Sequence, residues 1–485
     1  MNRPLVTTRA ADAALVGGGG GATTLIVGGL VWRPLSTLAA LGALVAVAAA
    51  IAAMRSRHRL ARFSLKDLLV ALLLLLPLTA LVGPSAALPS LPQLFGFRLL
   101  LIGIALLGVI LLLVAKGQTS WPAPRLILVL PLWTAWLVVT MMWAPDKLEG
   151  FRYLIVFTSM VALTLVTAFA GTSGRRFRAL CALLAVGYAL TVFITLLEMF
   201  AGLRLGTSAL VNATGAKRLG VTSFFYNQNN LAAYLAMCWP FLLAVVLVTR
   251  RKAWIALSLA GLALGLLAFV HTGSRSSLLV LVLETVVMAP FLLRAGSRRL
   301  RAAAAVTGAV AVATALFLAF NTSDNVLLRQ FRLTGLVQDV QSGRGSGETR
   351  LDLLRAGLTV AGDYRLAGVG PGNAEDLVRR LGEDTEIGNL HNWWLEVLVD
   401  GGAPALALFV ILYFGLLRGM ARVRRRTRDP LVNYVALSTL VALIGYVIGS
   451  LGPSTAVGFA PMWILLGMAL AVLTYARRSR EDDEP

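Results

Sequence analysis

The chain has 485 residues, of which 58% are hydrophobic and only 14% are charged, and its mean hydropathy is +0.79. A soluble domain needs more surface charge than this, so the composition excludes an ordinary soluble fold and predicts a helical membrane protein. The formal net charge is +21, but the basic residues stand in short clusters between apolar runs. No basic stripe is interleaved with aromatic residues, which argues against nucleic-acid binding.

Apolar runs of helical length follow one another along the chain. We predict 13 transmembrane helices, each close to the ~20 residues that cross about 30 Å of hydrocarbon. They cover residues 35–54, 68–83, 99–115, 126–143, 153–171, 179–200, 231–249, 253–270, 276–293, 302–320, 402–417, 431–449 and 457–475. Residues 11–31 are a marginal fourteenth span, because consecutive glycines disfavour a helix.

The charges of the connecting segments predict the orientation. Alternate connections carry 26 Lys or Arg residues, whereas the opposite set, apart from the long segment 321–401, carries 7. The positive-inside rule therefore places the first set in the cytoplasm and the second set outside. Two of the external segments are long, 201–230 and 321–401. Apolar residues at helical spacing predict short surface helices in the second of them, at 324–338, 348–362 and 373–382.

These patterns predict an all-α, polytopic integral membrane protein with about 13–14 transmembrane helices and a large helical extracytoplasmic loop. We expect four parts: an N-terminal transmembrane bundle (1–200), central transmembrane helices with an Asn-rich external loop (201–320), the large external loop (321–401), and C-terminal transmembrane helices with a cytoplasmic tail (402–485). No internal repeat is visible, and no pair of broken helices stands in two corresponding halves.

Acidic residues inside the predicted spans are scarce, Glu198 and Glu284 being the two candidates. Transport coupled to protons or ions usually needs more ionisable groups at this depth. Glu198 is a candidate for lining a binding site, and contact with interfacial water is the alternative. The two cysteines lie in apolar runs and indicate neither a disulfide framework nor a metal cluster. The acidic run GEDTE (382–386) is better interpreted as a solvated turn than as a cation site.

The stretch NLHNWWLEVLVDGG (389–402) places one of only 3 histidines, His391, at the start of a membrane helix. The exposed N–H groups and dipole of a helix start favour anions, and a neutral imidazole there can accept a proton near a bound anion. The alternative is a capping or interfacial histidine, with Trp393 and Trp394 as headgroup anchors. The residues alone leave both interpretations open.

Arginines on the same predicted face offer positive charge for an anion. Arg275, in HTGSRSSLL (271–279), stands so close to a span that its guanidinium requires an anionic partner, such as a lipid phosphate, or reaches into the interface. Arg350 and Arg355, in GETRLDLLRAG, either join that site or pair with nearby acids such as Asp352. The run GVGPGN lacks a preceding strand and a following Gly-Lys-Ser/Thr, so it indicates a tight turn rather than a phosphate loop.

Taken together, these stretches resemble the O-antigen ligase and Wzy-type polymerase superfamily of bacterial membrane glycosyltransferases. The main match is HNWWLEVLVDGG, in which His391 and Asn392 are followed by nine residues and then Gly402. NQNNLAAYL (227–235), TGSRSSLL (272–279) and TRLDLLRAG…RLAGVGPGN (349–373) also fit, and the four stretches span roughly residues 220–415. One departure is Ala405, where the family pattern usually has a second glycine, which we expect to affect packing more than chemistry.

The resemblance implies a GT-C-like helical fold in the plasma (inner) membrane, with the active site on the extracytoplasmic side. It also implies transfer of a glycan from an undecaprenyl-diphosphate carrier to an acceptor glycan, lipid or protein, with inversion and without a metal or other cofactor. Fixed arginines can stabilise the departing diphosphate in place of a metal. The candidate catalytic residues are His391 as the base and Arg275 and Arg350 as the stabilising cations. Candidate substrate-binding residues are Asn392, Asn227, Asn230, Arg355 and Glu198.

Two alternatives remain open at this stage. A ligase and a polymerase of this superfamily differ in acceptor, and the sequence does not separate them. A flippase or transporter of lipid-linked sugars would also have many spans and a basic cavity. A carrier, however, has no need of His391 or of the long external loop.

Overall fold

The computed structural model describes residues 65–88, 91–114, 124–214, 219–294, 346–381, 389–453 and 457–481, with isolated positions at 313, 316, 317 and 320. The described residues are helical apart from turns and a short two-stranded antiparallel ribbon, which confirms the predicted all-α class. The predictions for 11–31, 35–54, 324–338 and 382–386, and for nearly all of 302–320, lie outside these residues.

The helices are numbered here in chain order within the described residues. They are α1 (Leu65–Val82), α2 (Gly96–Val114), α3 (Val129–Thr140), α4 (Lys147–Phe169), α5 (Gly174–Ala201), α6 (Gln228–Val248), α7 (Lys252–Val270), α8 (Arg275–Arg294), α9 (Ser346–Asp363), α10 (Ala374–Leu381), α11 (Trp393–Arg426), α12 (Pro430–Gly449) and α13 (Ala460–Glu481). Short 3-10 turns cover Gly83–Ala86, Arg125–Leu128 and Ala170–Thr172, and the ribbon pairs β1 (Ala87–Leu88) with β2 (Leu91–Phe95).

Each predicted span that falls within the described residues coincides with a helix. Of these helices, 8 are long and apolar enough to cross a membrane: α1, α4, α5, α7, α8, α11, α12 and α13. Such helices are apolar nearly all round, because one side packs in the bundle and the other faces lipid. In α7, for example, Phe269 is buried while Trp254 and Leu257 are exposed. The prediction of a multi-pass membrane protein is confirmed.

Aromatic rings form the centre of the helix bundle. Trp133 lies 5.0 Å from Phe157 and 5.4 Å from Phe409, measured between ring centroids, and Trp393 lies 5.0 Å from Phe409 and 5.7 Å from Trp463. Each such ring pair stabilises the packing by about 0.5–1.5 kcal/mol beyond the area it buries. Trp393 is only 3% exposed. The alternative interpretation of Trp393 as a headgroup anchor is therefore wrong, since this ring fastens the start of α11 to the bundle.

The segment that contains α9 and α10 has a hydrophobic core of its own. The predicted helices at 348–362 and 373–382 are present as α9 and α10. Their apolar faces meet the first part of α11 in one buried cluster, which consists of Leu353, Val360, Ala361, Val369, Ala374, Val378, Leu390, Leu395 and Val399. We call this part of the structure, residues 346–381 and 389–401, the loop segment.

Backbone contacts join the loop segment to the bundle at a kink in α11. Gly402 has φ 72° and ψ −176°, which breaks the helix there. The Gly-rich turn at 368–373 packs against this kink: Val369 N donates to Val399 O (2.8 Å) and Ala403 N donates to Leu366 O (2.8 Å). A Cβ on Gly368 would lie 2.5 Å from the backbone of Gly401, so no larger residue fits. The turn predicted from GVGPGN is confirmed.

Indole groups from the bundle fix this junction. Trp136 Nε1 donates to Gly401 O at 2.6 Å, and Trp143 Nε1 donates to Gly368 O at 2.7 Å. Ala405 is fully buried, and a Cβ on Gly401 would lie 2.4 Å from its methyl group. The departure from the family pattern at Ala405 is therefore accommodated by packing. The kink coincides with the expected boundary between 321–401 and 402–485, although the four-part division itself stays a prediction.

Candidate functional site

The ends of five elements meet at one end of the bundle, and they carry the predicted site residues. His391 lies in the loop before α11, Arg350 in the first turns of α9, and Arg275 at the start of α8. The turn after α12 also reaches this point, because Trp393 N donates to Ser450 O at 3.3 Å. The start of α6 is linked to the α7–α8 turn, since Gln228 Nε2 donates to the backbone oxygen of His271 at 3.4 Å.

The backbone of His391 is held in a strained conformation. Its φ is 45°, in the left-handed region that a residue with a side chain adopts at some cost in free energy. Asn389 stabilises this conformation, because its Oδ1 accepts a hydrogen bond from His391 N at 2.9 Å. The side-chain amide of Asn389 in turn donates to Glu375 Oε1 on α10 at 2.8 Å. The loop segment thus fixes where the imidazole points.

Electrostatic interactions connect His391 with the arginines. Burial lowers the pKa of His391, and the positive charge of Arg350 lowers it further, while the backbone carbonyl groups of Gly452 and Pro453 act in the opposite direction. Burial also lowers the pKa of Arg350, as does the positive charge of Arg275. The structure therefore places the three predicted catalytic residues in one region, and burial together with the positive charge of Arg350 favours a neutral imidazole.

The position of Arg275 follows from a tight turn between α7 and α8. Gly273 has φ 65°, Thr272 Oγ1 donates to Phe269 O at 2.6 Å, and the hydroxyl groups of Ser274 and Ser277 lie 3.1 Å apart. This turn starts α8 directly at Arg275. The next residue, Ser276, faces the turn after α12, since a Cβ on Gly452 would lie 3.6 Å from Ser276 Oγ. Arg275 therefore belongs to the α7–α8 turn, and the carbonyl groups beside His391 belong to the turn after α12, which lies next to it.

The asparagines predicted to bind substrate also start helices. Asn392 Oδ1 accepts from Leu395 N at 3.3 Å and caps α11, and Asn227 Oδ1 accepts from Asn230 N at 2.9 Å and caps α6. Asn230 itself is buried. These capping hydrogen bonds use the side-chain oxygen of Asn392 and of Asn227. A further role for Asn392, Asn227 and Asn230 in substrate binding stays a prediction.

Two of the candidate residues lie apart from this cluster. Arg355 is five residues beyond Arg350 on α9, points to an exposed face and pairs with Asp352 at 3.4 Å. Glu198 is buried at the end of α5, where its carboxylate accepts hydrogen bonds from Thr222 N (2.8 Å) and Ser223 N (2.9 Å). Glu198 therefore holds the loop before α6 in place. These positions do not favour direct roles for Arg355 and Glu198, which stay predictions.

The sequence reasoning did not single out Asn389, Glu375, Ser450 or Gly452. Asn389 had one available signal, since an Asn two residues before a left-handed position is a common way to support a turn. Glu375 and the turn after α12 gave no local signal, because their contacts with the site come from chain segments distant in sequence. The expectation that the site needs no metal or other cofactor stays a prediction.

The fold and this cluster define a polytopic helical membrane protein with a folded loop segment fastened over one end of its bundle. Residues 260–410 match the family model described as O-antigen ligase, and this range contains Arg275, Arg350, His391 and Gly402. The chain is also similar to the teichuronic acid biosynthesis protein TuaE of Bacillus subtilis (strain 168). The two are 23% identical over 408 residues, which is 81% of this chain and 81% of the relative. Both similarities confirm the resemblance to the O-antigen ligase and polymerase superfamily.

Proposed function

We propose that this protein is a membrane glycosyltransferase that moves a glycan from a polyprenyl-diphosphate carrier to an acceptor. The two similarities support a role in polysaccharide biosynthesis at a membrane. The observation that supports the enzymatic proposal is the grouping of His391, Arg350 and Arg275 at the end of the bundle that the loop segment covers. By the positive-inside rule, this end of the bundle faces outward from the plasma membrane.

The charge at this grouping fits a diphosphate. Burial and the positive charge of Arg275 lower the pKa of Arg350, so an anion bound between the two guanidinium groups would be favoured. Among the described residues, no carboxylate lies within ion-pair distance of Arg350. A glycosyl transfer from a diphosphate carrier develops negative charge on the departing phosphate, which fixed cations stabilise. Arg275 and Arg350 would perform this role without a metal.

The environment of His391 fits a general base. The pKa of its imidazole is lowered, so the ring is neutral near pH 7 and able to accept a proton. Carbonyl oxygens are hydrogen-bond acceptors, so a ring N–H that faces Gly452 and Pro453 leaves the other nitrogen as the proton acceptor. Nδ1 of His391 is buried and makes no hydrogen bond of normal geometry with any described residue. His391 would take the proton of the acceptor hydroxyl as that oxygen attacks the anomeric carbon and inverts it.

The test uses purified full-length protein in detergent with an undecaprenyl-diphosphate-linked oligosaccharide, and product lengths are read by mass spectrometry. We expect His391→Ala to abolish product formation while His271→Ala retains it. His271 is a matched control, because it lies at the same end of the bundle and its Nδ1 lies 3.0 Å from Leu267 O in the last turn of α7.

The product pattern also separates the remaining alternatives. A ladder of products from the carrier-linked donor alone identifies a polymerase, and a single transfer that requires an added acceptor identifies a ligase. Activity of His391→Ala equal to wild type overturns the assignment of the base. No product from any donor and acceptor, together with movement of the lipid-linked sugar across vesicles, supports the transporter instead.

A further inference from the structure

The far end of α11 carries a group of arginines that the proposed reaction does not use. α11 begins next to His391 and ends at Arg426, and at about 1.5 Å per residue its two parts together extend on the order of 50 Å along the chain. The group consists of Arg418, Arg422, Arg425 and Arg426, which we call the arginine stripe. All four side chains are exposed, and with Ala421 they line a cavity of about 380 Å³.

The spacing of the arginine stripe places its members on one face of the helix. Positions separated by four, seven and eight residues lie above one another along an α-helix, and like charges at this spacing repel. Among the described residues, none of the four forms an ion pair with a carboxylate. The next acid along the chain, Asp429, instead caps α12 by accepting from Leu431 N (2.8 Å) and Val432 N (3.2 Å). An anion from outside the chain would relieve this repulsion.

The depth of the arginine stripe indicates where that anion lies. About 30 Å of hydrocarbon corresponds to ~20 helical residues, so a span that starts at the Gly402 kink ends close to residue 421. Arg418 therefore lies at the edge of the hydrocarbon, where its long stem can extend along the lipid and its guanidinium can reach the headgroups. Arg422, Arg425 and Arg426 lie at the level of the headgroups. A lipid phosphate is already present at this depth, whereas an acidic protein would have to enter the headgroup layer.

A neighbouring contact makes this end of α11 a fixed part of the bundle. The guanidinium carbon of Arg424 lies 3.9 Å from the centroid of the Phe291 ring on α8, a cation–π contact. Arg294, the last residue of α8, contributes further positive charge beside Arg424. The backbone that carries the arginine stripe is thus fastened to α8 through Arg424, while the four stripe side chains stay exposed.

We propose that the arginine stripe binds the phosphate headgroup of an anionic membrane phospholipid. Guanidinium groups bind phosphate oxygens in pairs, and two neighbouring members of the stripe provide donors on both sides of one headgroup. The bound lipid neutralises the repulsion within the stripe and stabilises the end of the bundle where α8, α11 and α12 meet. The positive-inside rule places this site on the cytoplasmic leaflet.

The test measures thermal unfolding of the full-length protein in a zwitterionic detergent, with added phosphatidylglycerol or phosphatidylcholine. Native mass spectrometry of the same samples counts the bound lipids. The variant R418Q/R422Q/R425Q/R426Q removes the stripe. The control R175Q/R178Q/R250Q/R251Q removes the same charge from exposed arginines at the predicted cytoplasmic ends of α5, α6 and α7. We expect phosphatidylglycerol, but not phosphatidylcholine, to raise the unfolding temperature of wild type and control.

We expect the stripe variant to lose this response, with a loss of about fivefold in apparent lipid affinity for each arginine replaced. An equal response of the stripe variant overturns the proposal, and so does an equal loss in the control, which would show a net-charge effect. Stabilisation of wild type by glycerol 3-phosphate alone, at the level given by the lipid, overturns the assignment to a membrane headgroup. If the quadruple variant cannot be purified, R422Q decides, since an unchanged affinity for phosphatidylglycerol contradicts the proposal.

Discussion

Replacing Gly402 by alanine tests whether the kink in α11 joins the loop segment to the bundle. Gly402 has φ 72° and ψ −176°, a combination that essentially only glycine adopts, and a side chain there costs about 1–3 kcal/mol. A Cβ would also lie 2.4 Å from Ala367 C and 2.5 Å from Leu366 O, both backbone atoms that cannot rotate away. Such overpacking costs about 1–3 kcal/mol more. We therefore expect Gly402→Ala to lower the free energy of unfolding by roughly 2–6 kcal/mol.

The measurement is thermal unfolding in detergent, followed by reaction of a thiol-specific fluorophore with the free cysteines Cys181 and Cys238. The unfolding temperature of Gly402→Ala should fall by several degrees. The control is Gly362→Ala near the end of α9, where a Cβ meets nothing within 4 Å and φ is not in the left-handed region. This control should be unchanged or slightly more stable, because alanine favours a helix by up to about 1 kcal/mol. Equal unfolding temperatures for Gly402→Ala and wild type would refute the reasoning.

Four predictions concern activity, measured as product formation from the carrier-linked donor. As the pH falls, wild type should lose activity at an apparent pKa below the ordinary value for histidine, because the base must be neutral and the pKa of His391 is lowered. Arg350→Gln removes a nearby cation, so the pKa of His391 should rise and activity should be lost at a higher pH than in wild type. If the acidic side of the pH–activity profile does not shift, this prediction is contradicted. Asn389→Ala should lower kcat about tenfold with little change in KM, since it releases the strained backbone of His391. Treatment with EDTA should leave the rate unchanged, and recovery by an added divalent cation would speak against the metal-independent mechanism.

The transmembrane helices were predictable because two independent signals agree on them. Apolar length marks each span, and the alternation of basic connections orders the spans, so an error in one span would disrupt the charge pattern of all later ones. α9 and α10 were predictable from helical periodicity in the same way. The interpretation of Trp393 as a headgroup anchor was wrong because the local sequence around an aromatic residue does not show whether it lies at a membrane interface or in the core of a bundle. Only the contacts with Phe409 and Trp463 distinguish the two.

The site was predictable only in part, for a physical reason. His391, Arg275 and Arg350 stand out as rare or charged residues beside apolar runs, and their chemistry suggested an anion site. Their proximity depends on how helices far apart in sequence pack, and on the Gly-rich turn that seats the loop segment. Asn389 acts through a strained backbone, and Arg355 differs from Arg350 only in the helix face it occupies. Residue type alone carries neither kind of information.

The spacing between His391 and Gly402 has a structural reason that connects these observations. Asn392 starts α11 and Gly402 interrupts it, so the nine intervening residues form a rigid helix of about 14 Å. Two faces of this helix serve two cores: Trp393 and Val397 pack in the bundle, whereas Leu395 and Val399 pack in the loop segment. A residue added or removed between the ends would rotate these faces by about 100° and exchange their environments. The fixed length therefore sets the distance between the imidazole and the kink. It also sets how the loop segment, which carries Arg350, packs on the bundle.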